Sequence, residues 1–240
     1  MNKFKISVII PSYNEEKYIG LCLQSLVSQK TKRKFEVILV NNNSTDNTKN
    51  IALSFRDKLN LRIITEKQQG RGVARWRGFE EATGDFLFSS DADTIFPNVW
   101  IERLMSNFKN KKVVAVTSLC NIDDPSKTNK AIFKFVHQFT NEAHRIVFGY
   151  YCLYGFSYAI RRDIYIKAGK IDKTLNALDD IELGRRVKNF GKIHLVKDIA
   201  VLTSNRRYKN GLIRGLLSFV KPDIQVLLLK KNKFVMDNPR

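Results

Sequence analysis

Apolar runs and helical periods of apolar residues alternate along the first half of the chain. Residues 5–10 (KISVII) form a short β-branched run that predicts a strand stopped by Pro11. In residues 17–29 the apolar positions fall at Ile19, Leu21, Leu23, Leu26 and Val27, close to a helical period. Residues 35–40 (FEVILV) are almost continuously apolar, the pattern of a parallel strand covered on both faces. Ser44, Thr45 and Asp46 supply N-cap candidates for a helix running through Lys58. A third strand is predicted at residues 61–65, a helix at 72–82, a fourth strand at 85–89 (DFLFS) and a fifth at 113–118. The second half is less regular. Residues 127–148 read as an amphipathic helix, 153–160 as an aromatic strand and 179–189 as a helix.

Strands alternating with helices at this spacing predict an α/β fold, with a mixed, mostly parallel central sheet flanked by helices. Ligands of such sheets sit beyond the carboxyl ends of the strands. Three polar clusters fall at those ends, residues 11–15, 41–46 and 89–94, and the fold would bring them together. No internal repeat and no linker rich in Gly, Pro or Ser divides the chain. One domain is expected, with a nucleotide-facing half and a partner-facing half.

Composition narrows the class. With 240 residues, 43% hydrophobic and 27% charged, the chain can bury a sizeable core, and global disorder and collagen-like order are excluded. Cys22, Cys120 and Cys152 are few, odd in number and far apart. They spell neither a disulfide framework nor a zinc site and imply a reducing compartment. Residues 146–160 are uncharged but include two Gly, a Ser and four Tyr, short of the roughly 18–20 apolar residues that span a bilayer. The apolar run near the N-terminus is about five residues long, too short for a signal peptide, so a cytoplasmic location is expected.

Lys and Arg number 42 against 23 Asp and Glu, a net charge of +19. Residues 185–240 hold fourteen of the cations against three acids, more than half of the surplus. A field of that sign attracts phosphates, whether on nucleic acid, nucleotide substrates or lipid headgroups, and it also serves simply as a solubilising surface.

Asp91-Ala92-Asp93 follows the apolar run DFLFSS. Two carboxylates one residue apart at a strand end can hold a hard divalent cation, Mg²⁺ or Mn²⁺, with positions left open for substrate phosphates. Alone the pattern is weak, because turns are rich in Asp. Its placement after a strand strengthens it.

Four segments in order, SVIIPSYNEEKYIGLCLQSLVSQ, VILVNNNSTDNT, GRGVARWRGFEEATGDFLFSSDADT and ALDDIELGRRV, resemble the family 2 glycosyltransferases of the GT-A fold. The resemblance runs from Lys5 to Arg207 and implies a single GT-A domain at 1–207, with a nucleotide-sugar-binding half at 1–118 and an acceptor half at 119–207. It implies an inverting enzyme that takes its sugar from a nucleotide-diphosphate sugar, with UDP or GDP the expected carrier. Pro11, Ser12, Tyr13 and Glu15 would line the base and ribose, and Asp46 would close the second loop. Where the family usually reads Asp-Asp-Gly-Ser, this chain has Asn41-Asn42-Asn43-Ser44. Asn42 would then meet the base, its amide accepting from a ring N–H and donating to a ring carbonyl. Arg75 would face the diphosphate or brace the Asp-x-Asp loop, with Trp76 beside it in the core. Asp93 would ligate the metal directly, and Asp91 would contact ribose or reach the metal through water. The cation neutralises charge on the leaving diphosphate.

Displacement at an anomeric carbon also needs a nucleophile freed of its proton. Asp179-Asp180 opens the segment DDIELGRRV and resembles the family's Glu-Asp pair at a helix start, in which Asp180 matches the residue that usually acts as general base, with Asp179 beside it. Both also fit ordinary N-capping. Gly155 and Phe156 match the family's strand before the base, where a Gly lets the acceptor approach. Tyr150, Tyr151, Tyr154 and Phe156 have two readings, sugar stacking and core packing. Arg206 and Arg207 resemble arginines that approach the donor diphosphate in some members. His194 (KIHLV) is the only late His for an additional metal ligand but reads as strand, and His137 and His144 read as structural.

Residues 208–240 form a basic extension in which apolar clusters alternate with cations. Residues 208–233 would lie on an anionic membrane, pack on the domain or dimerise. With Asp180 as base, the expected acceptor is a hydroxyl on a glycan or lipid-linked saccharide, and the enzyme is expected in the cytoplasm or peripherally on the membrane's cytoplasmic face. A polyprenyl-phosphate acceptor, already ionised, is the alternative. A basic nucleic-acid-binding protein is the alternative from another class, suggested by charge alone, and no specific nucleic acid is expected. Nucleotidyl transfer lacks its Lys-bearing phosphate loop near the N-terminus, and a redox dinucleotide fold lacks G-x-G-x-x-G.

Overall fold

The computed structural model describes residues 5–175 and 177–208. Eight strands form one sheet: β1 (Ile6–Ser12), β2 (Phe35–Asn41), β3 (Leu61–Thr65), β4 (Phe86–Ser90), β5 (Thr94–Ile95), β6 (Val113–Asp123), β7 (Ser157–Arg161) and β8 (Lys192–Ser204). Their order is β3-β2-β1-β4-β7-β6-β8-β5. β3, β2, β1 and β4 are mutually parallel, β7 runs antiparallel between β4 and β6, and β8 returns parallel to β6. The sheet is therefore mixed, as expected.

The helices are α1 (Ile19–Val27), α2 (Thr48–Leu53), α3 (Arg71–Glu81), α4 (Trp100–Asn107), α5 (Lys127–Phe148), α6 (Arg162–Lys167) and α7 (Asp179–Val187). They cover both faces, which explains the continuous apolar runs of the parallel strands. On β1, Ile6, Val8 and Ile10 join the core beneath α1 and α4, while Ile9 joins the core beneath α3, α6 and α7. On β2, Val37 and Leu39 face the first side, and Ile38 and Val40 the second. A residue's face thus follows the two-residue period of the pleat. α3 presses close to the second face because Gly78 has no side chain. A Cβ there would meet Ile9 and lie 2.9 Å from Val40 Cγ2.

The elements differ from expectation in four places. β1 continues through Pro11 to Ser12. Asn42 N donates to Ser12 O, so Ser12 faces β2 and Pro11 faces β4, whose pairing with β1 ends at Ile9–Ser89. The missing donor of Pro11 therefore falls where the ladder has stopped. The helix expected over 44–58 is regular only over α2. Asp46 precedes the N-cap Asn47 and accepts from Thr48 N at 3.0 Å and Thr48 Oγ1 at 2.5 Å. The strand expected at 153–160 begins at Ser157, because the preceding backbone is diverted to α7, with Gly155 N donating to Asp180 Oδ2. β6 runs five residues beyond 118, continuing its pairing with β8 across a register shift. The basic extension lies outside the described residues after Tyr208.

Candidate active site

β1, β2 and β4 end side by side, and the loops after them carry the predicted residues. The first two loops interlock. Asn14 N donates to Ser44 Oγ at 3.1 Å, and Thr45 N to Asn14 Oδ1 at 2.9 Å. Glu16 N donates to Asp46 Oδ2 at 3.0 Å, and Asn47 N to Glu16 Oε2 at 3.1 Å. Asn14 and Asn43 take left-handed conformations, φ 51° and 63°, which asparagine tolerates better than most side chains. Burial raises the Asp46 carboxyl, but the hydrogen bonds from Thr48 and Glu16 outweigh it and hold its pKa below the usual value. Asp46 therefore fastens the two loops together as an anion.

Asn42 stands at the foot of this pair, buried, and its amide is committed within the chain. Nδ2 donates to Glu66 O at 2.9 Å and Gln68 O at 2.7 Å, and Oδ1 accepts from Gly70 N at 2.8 Å. This corrects the expectation that the amide both donates to and accepts from a base. Both N–H bonds are used, and a second lone pair on Oδ1 is what remains. Ser12 is likewise turned inward, its hydroxyl donating to Val40 O at 3.2 Å, and Pro11 is buried within β1. Tyr13 is half-buried.

The third loop carries Asp91 and Asp93, and a different arginine meets each. Arg75, 1% exposed on α3, donates to Asp91 Oδ1 at 2.6 Å through Nη2 and to Asp179 Oδ2 at 2.8 Å through Nη1. Burial opposes its charge, but Asp179, Asp91 and Asp180 outweigh burial and raise its pKa, so it stays cationic. Arg206 spans Glu15 and Asp93. Its nitrogens lie 2.8 and 2.9 Å from the two Glu15 carboxylate oxygens and 2.9 Å from Asp93 Oδ2. Ser204 Oγ also donates to Asp93 Oδ2, at 2.5 Å. The Arg206 guanidinium lies 5.4 Å from the centre of the Tyr18 ring. Glu15, expected to line the nucleotide, is therefore held by Arg206 at the end of β8.

Asp91 and Asp93 fit a hard divalent cation by donor chemistry: two carboxylates, 29% and 11% exposed, one residue apart on one loop. No group of three or more metal-ligating side chains occurs among the described residues. The late-histidine alternative is ruled out. His194 pairs with Val116 in mid-sheet, ten residues along β8 from Ser204, or roughly 30 Å. Arg207 is half-buried, and burial, then the neighbouring Arg71, lower its pKa, with Arg206 adding to the effect. Three guanidinium groups thus crowd one region beside Asp91, an arrangement suited to an anion.

At the base of α7, Asp179 is fully buried and Asp180 nearly so. Gly155 N and Ile181 N donate to the two Asp180 oxygens. Burial and then the adjacent Asp179 push the Asp180 carboxyl up to about 6, against the pull of Arg75, Arg71 and the Gly155 N–H. The turn into α7 is made by Leu178 at φ 61°, an unusual conformation for a bulky residue. Leu178 is clamped by Cys152, Ala177 and Ile181.

Gly155 has a different use from the one expected. The space beside its Cα is filled by Arg75 rather than left to an acceptor, and a Cβ there would lie 2.8 Å from Arg75 Cζ. Phe156 stacks on Tyr154 at 5.3 Å, both half-buried. Tyr150 belongs to the core, and Tyr151 Oη donates to Glu142 at 3.0 Å. The stacking alternative therefore survives for Tyr154 and Phe156. Trp76 packs half-buried against the second core, with Lys173 over its ring at 4.8 Å.

Sequence reasoning missed Arg71, Ser204 and Leu178. Arg71 lies inside the quoted GRGVAR segment and Ser204 beside the quoted arginines, but nothing local marks either for a role.

The glycosyl transferase family 2 profile matches residues 7–169. Glycosyltransferase AglE of Haloferax volcanii is 41% identical over 112 residues, 45% of this chain and 36% of its own length. Among solved structures, Staphylococcus aureus TarS 1–349 in complex with UDP-GlcNAc superposes with a TM-score of 0.67 at 22% identity, covering 84% of this chain and 58% of TarS 1–349. The mannosyltransferase PcManGT of Pyrobaculum calidifontis, in complex with GDP-Man and Mn²⁺, superposes with a TM-score of 0.68 at 19% identity, covering 95% of this chain and 69% of its own. The chain spans little more than a third of AglE, and the structural likenesses establish the GT-A fold. With the profile covering most of the chain, the protein belongs to glycosyl transferase family 2.

Proposed function

We propose that the protein transfers a sugar, with inversion, from a nucleotide-diphosphate sugar to a hydroxyl, with Asp180 as general base. One observation carries this reading. Asp180 is buried beside Asp179, Asp179 is paired with Arg75, and Arg75 holds Asp91 of the donor loop. One guanidinium thus couples the acceptor-side carboxylates to the donor side.

The roles follow from the residues. Residues 1–118 supply the donor floor, with the end of β8 returning to complete it. The Oδ1 lone pair of Asn42 accepts one ring N–H of the base. Arg71, Arg206 and Arg207 bind the diphosphate. Asp93 and Asp91 would hold a divalent cation, Mg²⁺ or Mn²⁺, which when bound neutralises charge on the leaving diphosphate. Residues 119–207 form the acceptor side, where Tyr154 and Phe156 offer a stacking surface. With a pKa near 6, Asp180 is mostly ionised at neutral pH yet more basic than an ordinary carboxylate, as proton removal from a hydroxyl requires. A phosphate acceptor would need no such group, so a hydroxyl on a glycan or lipid-linked saccharide is favoured. UDP and GDP both remain in play as carriers, since the likenesses include a UDP-GlcNAc and a GDP-Man complex. We place the enzyme in the cytoplasm or at the cytoplasmic face of a membrane.

Thermal unfolding with UDP- and GDP-sugars, with and without Mn²⁺, tests the donor side. Stabilisation by one nucleotide that needs the metal and vanishes in Asp93→Ala is expected. Anomeric NMR of the product should report inversion, and a retained configuration would overturn the mechanism.

A further inference from the structure

α5 is apolar on two faces. Phe133, His137 and Asn141 are buried against the body. On the opposite side Phe135 is 70% exposed, Phe139 65% and Ile146 72%, with Ile132 and Val147 also bare. Ile132, Phe135, Phe139 and Ile146 recur at helical spacing along one stripe. The Phe135 and Phe139 rings stack on each other at 6.4 Å. A contiguous apolar stripe of this kind marks an interaction surface. The helix cannot cross a bilayer, since no described helix is long and apolar enough.

Charge selects the occupant. Lys127, Lys130, Lys134 and Arg145 are exposed on the same helix. Its single acid, Glu142, is already bound by Arg145 at 2.8 Å, Lys197 at 2.7 Å and Tyr151 at 3.0 Å. A second copy laid on the stripe would bring no unbound acid to these cations. The chain's own continuation complements it no better, with seven Lys/Arg against two Asp in residues 209–240. An anionic bilayer surface matches both features, offering phosphates to the cations and the acyl boundary to the phenylalanines.

We propose that α5 docks this protein on an anionic membrane surface, with Ile132, Phe135, Phe139 and Ile146 entering the headgroup–acyl boundary. The buried face of the same helix reaches the site. The His137 ring lies 5.2 Å from Tyr154 and 6.0 Å from Phe156, on either side of the Gly155 that donates to Asp180. Docking through α5 therefore sets the acceptor side next to the lipid phase, where the sugar of an amphiphilic acceptor would stand. That link to the acceptor rests on the transferase reading, whereas the docking rests on α5 alone.

The test is co-sedimentation of the full chain with vesicles of phosphatidylcholine alone or with about 30% phosphatidylglycerol. Wild type should bind the anionic vesicles and not the neutral ones. Phe135→Ser/Phe139→Ser and Lys130→Glu/Lys134→Glu should each weaken binding by about tenfold or more while keeping the wild-type melting temperature, since all four side chains are exposed. The native cysteines are buried, so an environment-sensitive dye can be placed at Phe135→Cys. Its emission should shift to the blue on anionic vesicles. Unchanged vesicle binding in Phe135→Ser/Phe139→Ser would overturn the proposal. So would a wild type that ignores vesicles but dimerises through α5. Vesicle binding is read without any donor sugar, so its failure and that of the transferase reading are separate results.

Discussion

Arg75 Nη1 lies 2.8 Å from Asp179 Oδ2, and neither side chain is more than 1% exposed. α3 and α7 are far apart in sequence, and this pair fixes one against the other at the centre of the site. The second branch of the guanidinium reaches Asp91. One buried group thus ties α3, α7 and the Asp91 loop together.

Removing that cation strands a buried carboxylate. Arg75→Met should lower the unfolding free energy by about 3–5 kcal/mol, read by urea denaturation. Adding Asp179→Asn in the same chain should recover part of the loss. An Arg75→Met protein as stable as wild type would show that the pair carries no such weight.

Gly155→Ala should act through Arg75. The new methyl must displace a guanidinium held by two carboxylates, at a cost of about 1–3 kcal/mol. Donor affinity and turnover should both fall, because the methyl crowds Nη2, which holds Asp91, most closely and Nη1, which holds Asp179, next. Calorimetric donor binding alongside kcat separates the two.

Arg206→Ala should leave Glu15 and Asp93 without their shared cation and weaken donor binding by about 1.5–3 kcal/mol. Arg206→Lys should recover little, since an ammonium cannot reproduce the two-pronged contact with Glu15. Titration of donor into both variants checks this.

Asp180 makes two pH effects. Turnover should rise with pH through about 6 as the carboxylate ionises, and level off above it. Stability moves the other way. The folded state keeps the Asp180 proton up to about 6, whereas the unfolded carboxyl releases it near 3.8. The stability this group contributes is therefore fully present below 3.8 and is lost as pH rises through 6. In Asp180→Asn both signatures should disappear, visible by comparing pH–rate and pH–melting curves.

The parallel half of the sheet was largely legible in the sequence. Continuous apolar strands that end in polar clusters dictate where β1, β2 and β4 must stop, and Asp91, Asp93 and Asp46 fall there for that reason. What the sequence hid were relationships between distant segments. The commitment of Asn42 depends on where residues 66–70 come back past it. Gly155 signals close approach, but the pattern does not say that Arg75 is what approaches. α5 was visible as amphipathic, yet that it is apolar on two sides appears only once one side is packed. Leu178 carried no signal, because its left-handed turn is imposed by the packing around it.

The central claim is that Asp180 removes the proton from the attacking hydroxyl. It is tested most directly by nucleoside-diphosphate release from UDP-GlcNAc or GDP-mannose, with water as acceptor, in wild type and Asp180→Asn. The account predicts a fall of about 10²–10⁴-fold in Asp180→Asn, with the donor-induced rise in melting temperature intact. Release at the wild-type rate, with the donor still bound, would contradict it.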